Sequence, residues 1–257
     1  MLIQSRVEDS TQRGLPFDYH RRCKITKTTH LCFADDLMIF CGKSIHSAGI
    51  LSQALKDFSE LSGLIPNNDK SCIFFTGSNY DYQQSLLNLF PFTQGALPVR
   101  YLGVPLITTK LTAHDCKVLV EAITRRIGNW TTKFLSFAGR IQLIQSVLCS
   151  MQSFWNGLFI LPKKIITQVE QIIRRFLWKG PQLSTGGAKV AWADLTFPLD
   201  EGGLGIKRLH TWNVAAMGKH IWNLCHPQTT SSWALWARAN LLRGRSLWDI
   251  NPPSSSS

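Results

Sequence analysis

The stretch from His30 to Cys41 constrains the fold most strongly, because two short apolar runs flank the adjacent aspartates Asp35 and Asp36. Neither run has the spacing by three and four that is typical of an amphipathic helix. Short runs rich in Phe and Ile, interrupted by residues that tolerate turns, predict two buried β-strands joined by a tight hairpin. The hairpin would hold both carboxylates at its tip, where their oxygens suit a hard cation such as Mg²⁺. The alternative is that the two aspartates form only a polar turn.

The excess of basic residues indicates which class of partner the chain would bind. The chain of 257 residues has 28 Lys and Arg residues against 16 Asp and Glu residues, which gives a formal net charge of +12. Such an excess favours nucleic acid as the partner ahead of an anionic membrane surface, and it exceeds what solubility requires. The most apolar stretch, from Leu148 to Leu161, is interrupted by polar residues and is too short to span a bilayer. We therefore expect nucleic acid and no membrane as the partner.

The cysteines indicate the cellular compartment. The seven cysteines form an odd set without a Cys-x-x-Cys pair. This pattern argues against a disulfide framework and against a complete zinc site. The segment from Met1 to Arg13 is polar and lacks the features of a signal peptide. We expect reduced thiols in a nuclear or cytoplasmic protein that is not secreted.

A helix is predicted directly after the hairpin. Ser44 is a suitable N-cap and Gly63 a suitable C-terminal residue, and the apolar residues between them are spaced by three and four. A strand from Cys72 to Thr76 follows. We expect the helix to pack on the sheet that contains the hairpin, with the strand completing a βα(β) unit. The chain is therefore predicted to be of the α+β class.

From Leu111 onward the pattern becomes helical. Three amphipathic segments, which begin near Thr112, Ser136 and Pro162, predict a small helical bundle. Helices with one apolar and one basic face suit binding along a nucleic-acid duplex, and the alternative is an ordinary bundle with solvated cations. The basic residues predicted on the exposed faces are Arg125, Arg126, Lys133, Arg140, Lys163, Lys164, Arg174, Arg175 and Lys179.

Two further features each allow two interpretations. The basic run of Arg21, Arg22, Lys24 and Lys27 is either a solvated face or a surface that follows a phosphate backbone. Spaced tryptophans after the bundle are more typical of core anchors than of platforms on which bases stack. These tryptophans are Trp212, Trp222, Trp233, Trp236 and Trp248.

Several motifs resemble, in order, those of one family. The run Phe33-Ala34-Asp35-Asp36, preceded by Thr29-His30-Leu31, resembles the active-site motif of reverse transcriptases from non-LTR (LINE-type) retroelements, particularly those of plants. The further matching motifs are Ser62-Gly63-Leu64 with Asn67 and Lys70-Ser71, then Tyr101-Leu102-Gly103-Val104-Pro105-Leu106, Ala138-Gly139-Arg140, Phe176-Leu177-Trp178 and Glu201-Gly202-Gly203.

The resemblance implies a division of the chain and a set of roles. Residues 1–107 correspond to part of a polymerase palm, residues 108–180 to a helical thumb and residues 181–250 to a mostly helical connecting region. Residues 251–257 lack core-forming side chains and are expected to be disordered. Asp35 and Asp36 would be catalytic and would bind Mg²⁺ or Mn²⁺, and Lys70 would contact nucleotide or nucleic-acid phosphate. The implied partners are an RNA template and a DNA primer.

Two hypotheses follow from what the resemblance leaves unmatched. A complete family member has a fingers region and a third catalytic aspartate ahead of the hairpin, whereas Glu8, Asp9 and Asp18 are the acidic residues present there. The first hypothesis is a fragment of an RNA-directed DNA polymerase that is active only if the missing half is supplied in trans. The second is a non-catalytic nucleic-acid-binding module, or a retroelement remnant without function. We expect the isolated chain to be catalytically incomplete.

Overall fold

The computed structural model describes residues 2–77, 79–107, 109–130, 135–184 and 189–250. The chain divides into two compact units: unit 1 comprises Met1–Val99 and Leu224–Ser257, and unit 2 comprises Arg100–Asn223. The α-helices of the described residues are α1 (Leu2–Gln12), α2 (Ile45–Ser62), α3 (Tyr80–Leu89), α4 (Lys117–Gly128), α5 (Phe137–Leu143), α6 (Cys149–Asn156), α7 (Lys163–Lys179), α8 (Trp192–Leu195), α9 (Leu209–Cys225) and α10 (Ser232–Ala237). The strands are β1 (His30–Phe33), β2 (Asp36–Ile39), β3 (Cys72–Ile73), β4 (Thr93–Gln94), β5 (Val99–Tyr101) and β6 (Val104–Leu106).

The mixture of helices with short strands confirms the α+β class. The strands form three separate two-stranded sheets within the described residues, β1 with β2, β3 with β4 and β5 with β6. Short helices of other types complete the chain. They are π-helical segments at Ile144–Leu148 and Arg238–Leu242, and 3₁₀ segments at Asn68–Lys70, Leu199–Glu201 and Leu247–Asp249.

Helix α2 has the ends that its sequence predicts. The Ser44 side chain accepts a hydrogen bond from the Ser47 amide at 3.3 Å, which satisfies one of the unpaired donors of the first turn. Gly63 ends the helix in the left-handed conformation at φ 73°, where a side chain would be disfavoured. The apolar face of α2 packs on α1, and Leu51 and Ala54 lie in the small core of unit 1.

Two details of unit 1 differ from the prediction. The hairpin strands are largely exposed rather than buried, and the Phe33 side chain is 63% exposed, because a two-stranded sheet has no further strand among the described residues to cover it. The predicted strand from Cys72 to Thr76 is also shorter and lies elsewhere. It extends over Cys72–Ile73 and pairs in parallel with Thr93–Gln94, so it does not complete the sheet of the hairpin.

Unit 2 is organised around one large apolar core. The predicted stripe of the first helix is buried, with Ile123 and Ile127 fully inaccessible to solvent. Ahead of α4, the Asp115 carboxylate accepts a hydrogen bond from the Thr112 amide at 2.8 Å, and the Asp115 amide donates to the Thr112 hydroxyl at 3.4 Å. This is the reciprocal arrangement of a capping box. The core also includes Leu195, Ile206 and Leu209. Residues after position 180 therefore pack into the same core as the predicted thumb helices.

Four of the five tryptophans after the bundle are exposed and so differ from the core anchors that their spacing favoured, whereas Trp236 is half-buried. Trp222 is 69% exposed and Trp248 is 81% exposed. The Trp212 ring is partly covered by Lys207, whose ammonium nitrogen lies 4.0 Å from the ring centroid. These rings are thus surface features, because α9 and the segments after it bury little of their apolar surface.

Candidate functional site

The Asp35-Asp36 pair lies at the tip of an antiparallel hairpin, as predicted. The register joins His30 with Ile39 at the base and Phe33 with Asp36 at the tip, so Ala34 and Asp35 form a two-residue turn. Ala34 adopts a left-handed backbone at φ 51°, which such tight connections require of at least one residue. Asp35 therefore lies in the turn itself, and Asp36 is the first residue of β2.

Both carboxylates are open to water. Asp35 and Asp36 are exposed, and neither forms an ion pair with a described residue. Because one residue belongs to the turn and the next to a strand, the two side chains leave the backbone in different directions. This geometry can present oxygen ligands to a cation, but it offers ligands from one short segment.

The described residues do not complete a site for two metal ions. No group of three or more His, Cys, Asp or Glu side chains comes together in the part of the chain that the structure describes. Asp18 lies beyond the base of the hairpin, where its carbonyl accepts a hydrogen bond from the Gly42 amide at 2.8 Å. With a rise of about 3.3 Å per strand residue, this position is roughly 20 Å from the tip. The Asp pair alone therefore does not fit the ligand set of a two-metal centre.

The base of the hairpin is well supported. Thr29 is buried, its carbonyl accepts a hydrogen bond from the Phe40 amide at 2.8 Å, and its hydroxyl lies 2.7 Å from Nδ1 of His30. Burial lowers the pKa of His30, so the imidazole is neutral at neutral pH. The Tyr82 hydroxyl donates to the Gly42 carbonyl at 3.0 Å. These contacts fix the strand ends and leave the tip accessible.

Lys70 lies in the loop between α2 and β3. It ends the 3₁₀ segment Asn68–Lys70, and its amide donates to the Asn67 side chain at 3.1 Å. The Lys70 side chain is exposed, and no described contact joins it to Asp35 or Asp36. A phosphate contact of Lys70 stays a prediction.

Helix α7 carries the clearest basic face. Its cations lie on the side away from the buried Val169 and Ile173, because 3.6 residues complete each turn. Its one acidic residue, Glu170, is engaged elsewhere and accepts a hydrogen bond from the Leu209 amide at 3.3 Å. Arg174 is half-buried and the other cations are exposed or partly exposed. The cations of this face are Lys163, Lys164, Arg174, Arg175 and Lys179.

The other predicted cations of the bundle differ in their surroundings. Arg125 and Arg126 are exposed in the last turn of α4 and line a groove of about 330 Å³ together with Val147 and Met151. Arg140 is half-buried beneath the end of α7. Its guanidinium carbon lies 6.0 Å from the Phe137 ring centroid, and its Nε atom is buried without a hydrogen-bond partner among the described residues. Lys133 lies outside the described residues.

Comparison with known proteins finds a partial match. The chain is 30% identical over 132 residues to a provisionally named ribonuclease H protein of Arabidopsis thaliana, and the match covers 51% of this chain and 21% of the relative. The chain thus spans about a fifth of the length of the curated relative that it matches. No family model matches the chain.

The structure also brings together basic residues that the sequence pattern did not connect. Arg21 and Arg22, from the basic run ahead of the hairpin, line a cleft with Arg243. More than two hundred residues separate the two segments in the sequence, so no spacing rule relates them. None of the helices in the described part of the chain has the length and apolarity needed to cross a membrane.

Proposed function

We propose that the chain is part of the reverse transcriptase of a non-LTR retroelement and binds an RNA template with its DNA primer through the basic helices of unit 2. The observation that carries the proposal is the face of α7, where five cations oppose the buried side of the helix and the one acidic residue of the helix is engaged elsewhere. A row of this kind can neutralise successive phosphates of a duplex without reading its sequence.

The exposed Asp35-Asp36 pair supports the polymerase assignment. Its hairpin geometry and flanking residues agree with the motif that the family uses for phosphoryl transfer. The Asp pair alone does not fit a two-metal centre, so we propose no catalytic step for this chain by itself. A polypeptide that supplied a further carboxylate in trans would complete the ligand set for Mg²⁺ or Mn²⁺.

The alternative is a non-catalytic nucleic-acid-binding module, or a remnant without function. The same basic face of α7 favours the binding module, and the incomplete ligand set of the Asp pair does not contradict it. The name of the Arabidopsis relative, ribonuclease H protein, supports a nucleic-acid partner for either function.

The test is the salt dependence of affinity for an RNA–DNA duplex. We expect log K to fall linearly with log salt, with a slope of about −0.9 for each phosphate neutralised in a B-form duplex. In the full chain, replacing Arg174 and Arg175 with Ala should make the slope shallower by about 0.9 for each phosphate that is no longer neutralised. Alanine is a good helix former, so α7 should retain its structure.

The matched control removes two cations from unit 2 outside α7. Lys110 and Lys117 are exposed, and Lys117 already lies 3.5 Å from Glu121. Replacing both with Ala should leave the slope close to that of the unmodified chain. Equal changes in the two double variants would show that net charge, and not the face of α7, determines binding.

A further inference from the structure

Unit 1 contains a cleft of about 600 Å³ with a strongly basic lining. Three arginines line it, and no acidic residue is among the described residues that line it. The lining includes Arg21, Arg22, Ile25, Asn240, Arg243 and Gly244. The volume lies within the range of roughly 300 to 1,000 Å³ that is typical of small-ligand sites, but those sites are mostly apolar. The lining therefore favours an anionic ligand that is larger than a single phosphate.

One wall of the cleft is a turn that is anchored by the buried Cys23 through its backbone hydrogen bonds. The Cys23 side chain is 6% exposed, and its amide donates to the His20 carbonyl at 2.7 Å. Its own carbonyl accepts a hydrogen bond from the Thr28 amide at 3.2 Å. The anchored turn leaves Arg21 and Arg22 exposed at the cleft. The backbone hydrogen bonds thus define the turn from which the Arg21 and Arg22 side chains extend.

The opposite wall follows the π-helical segment Arg238–Leu242. Segments of this kind are rare and occur often at functional sites. The segment ends at Arg243, whose amide donates to the Arg238 carbonyl at 2.9 Å. Arg243 has a left-handed backbone at φ 52°, and Gly244 follows at φ 81°. A left-handed position at a helix end favours glycine, so an arginine there is disfavoured for stability.

Among the described residues, no carboxylate neutralises the three arginines. The ion pairs among the described residues are Arg6 with Asp57 and Lys117 with Glu121, and neither includes an arginine of the cleft. Guanidinium groups form paired hydrogen bonds to phosphate oxygens, and bringing several of them to one cleft is favourable when an anion lies between them.

We propose that this cleft binds adjacent phosphate groups of a single-stranded nucleic-acid backbone. Arg22 and Arg243 would each hold one phosphate. The Asn240 side-chain amide already donates to the Trp236 carbonyl at 3.0 Å, and it would donate its second hydrogen to the ligand. Ile25 and Ala239 add apolar surface beside the arginines, which suits the sugar or base between two phosphates. The site is in unit 1 and is independent of the proposed role of α7.

The first experiment maps the binding site directly in the full chain. Phenylglyoxal modifies accessible guanidinium groups, and mass spectrometry measures the rate at each arginine. A short oligothymidine should slow modification of Arg22 and Arg243 and leave Arg245, which does not line the cleft, unchanged. Pyrophosphate offers the same phosphate chemistry without a backbone and should protect weakly at equal phosphate concentration. Protection by pyrophosphate that equals or exceeds protection by oligothymidine, or protection by neither probe, would overturn the proposal.

The second experiment compares two double variants of equal charge. The site variant combines Arg22→Ala with Arg243→Gly, which keeps the left-handed backbone available. The control combines Lys24→Ala with Arg245→Ala, which removes neighbouring cations that do not line the cleft. Both are made in a chain that also carries Arg174→Ala and Arg175→Ala, which weakens binding by α7 equally in the two variants.

We expect the site variant to bind oligothymidine about tenfold more weakly for each arginine that no longer holds a phosphate, and the control to be affected far less. Thermal unfolding of the site variant should occur at or above the temperature of the control, because glycine relieves the disfavoured backbone at position 243. An equal decrease of affinity in the two variants would overturn the proposal even if the prediction for α7 holds. Failure of the α7 prediction would leave this comparison unaffected.

Discussion

Among single residues, Cys41 has the surroundings that alter its chemistry most. Its thiol donates to the Asp18 carbonyl at 3.9 Å at the base of the hairpin. Burial, together with the negative charge of Asp18, raises the pKa of Cys41 from 9.0 to about 12. Burial likewise raises the pKa of Cys116 to about 11. Both thiols therefore stay protonated at neutral pH.

We expect Cys41 and Cys116 to resist alkylation by iodoacetamide at about pH 8, since the thiolate is the reactive form. The exposed Cys32 and Cys72 should react readily and serve as internal controls. Mass spectrometry of the folded and the denatured chain measures the difference. Alkylation of Cys41 in the folded chain as fast as that of Cys32 would contradict the surroundings described for it.

The raised pKa of Cys41 contributes to the pH dependence of stability, together with those of Cys116 and Tyr82. The folded state retains the Cys41 proton up to about pH 12, whereas the unfolded state releases it near 9.0. The stabilisation is complete below pH 9 and disappears as pH rises towards 12. Chemical denaturation of the full chain should therefore show decreasing stability above pH 9, and a Cys41→Ala variant should show a weaker decrease.

At the scale of elements, close packing explains a glycine of the Glu201-Gly202-Gly203 motif, which follows α8. A Cβ atom at Gly203 would overlap the Phe197 carbonyl oxygen, and the Gly203 amide donates to the Pro198 carbonyl at 3.0 Å. The backbone of this turn approaches itself too closely for any side chain. Glycine is thus required here by close packing.

We expect Gly203→Ala to destabilise the chain by about 1–3 kcal/mol, since the backbone must shift to avoid the overlap. Gly218 in α9 is the matched control, because a Cβ atom there meets nothing within 4 Å. Gly218→Ala should instead stabilise by about 0.5–1 kcal/mol through helix propensity. Urea denaturation measures both, and equal effects would contradict the described turn.

Elements with strong local signals were predictable from the sequence. Ser44 and Gly63 define the ends of α2, and the two-residue turn at Ala34 and Asp35 follows from the apolar runs beside it. In the segment from Ser136 to Leu158, a regular helical spacing predicts that Phe154 and Leu158 lie on the buried face, and the structure differs. The π-helical segment Ile144–Leu148 adds a residue to one turn, so Trp155 is buried while Phe154 and Leu158 are exposed. A uniform helical repeat cannot anticipate that rotation.

The exposure of several apolar residues could not be predicted from the sequence, because it depends on the tertiary structure. Strand residues such as Phe33 have sequences typical of a buried sheet, but burial depends on whether another element covers them. The same holds for Trp222 and Trp248. Arg243 could not be related to Arg21 and Arg22 from the sequence, since only the fold brings the two segments to one cleft.

At the scale of the whole molecule, the net charge of +12 is distributed over several surfaces. The sequence predicted the basic helices of unit 2 because apolar and basic residues alternate there with helical spacing. It also predicted the Asp pair at the tip of a hairpin. The excess of positive charge supports the proposal that the chain binds nucleic acid.

Primer extension on an RNA template tests most directly the proposal that the chain binds nucleic acid but is catalytically incomplete by itself. The full chain of 257 residues is incubated with a labelled primer–template, all four deoxynucleotides and Mg²⁺ or Mn²⁺, beside an Asp35→Asn variant. We expect both proteins to retard the primer–template in a binding assay and to leave the primer unextended, because no third carboxylate among the described residues joins Asp35 and Asp36. Extension by the unmodified chain that disappears in Asp35→Asn would contradict this conclusion.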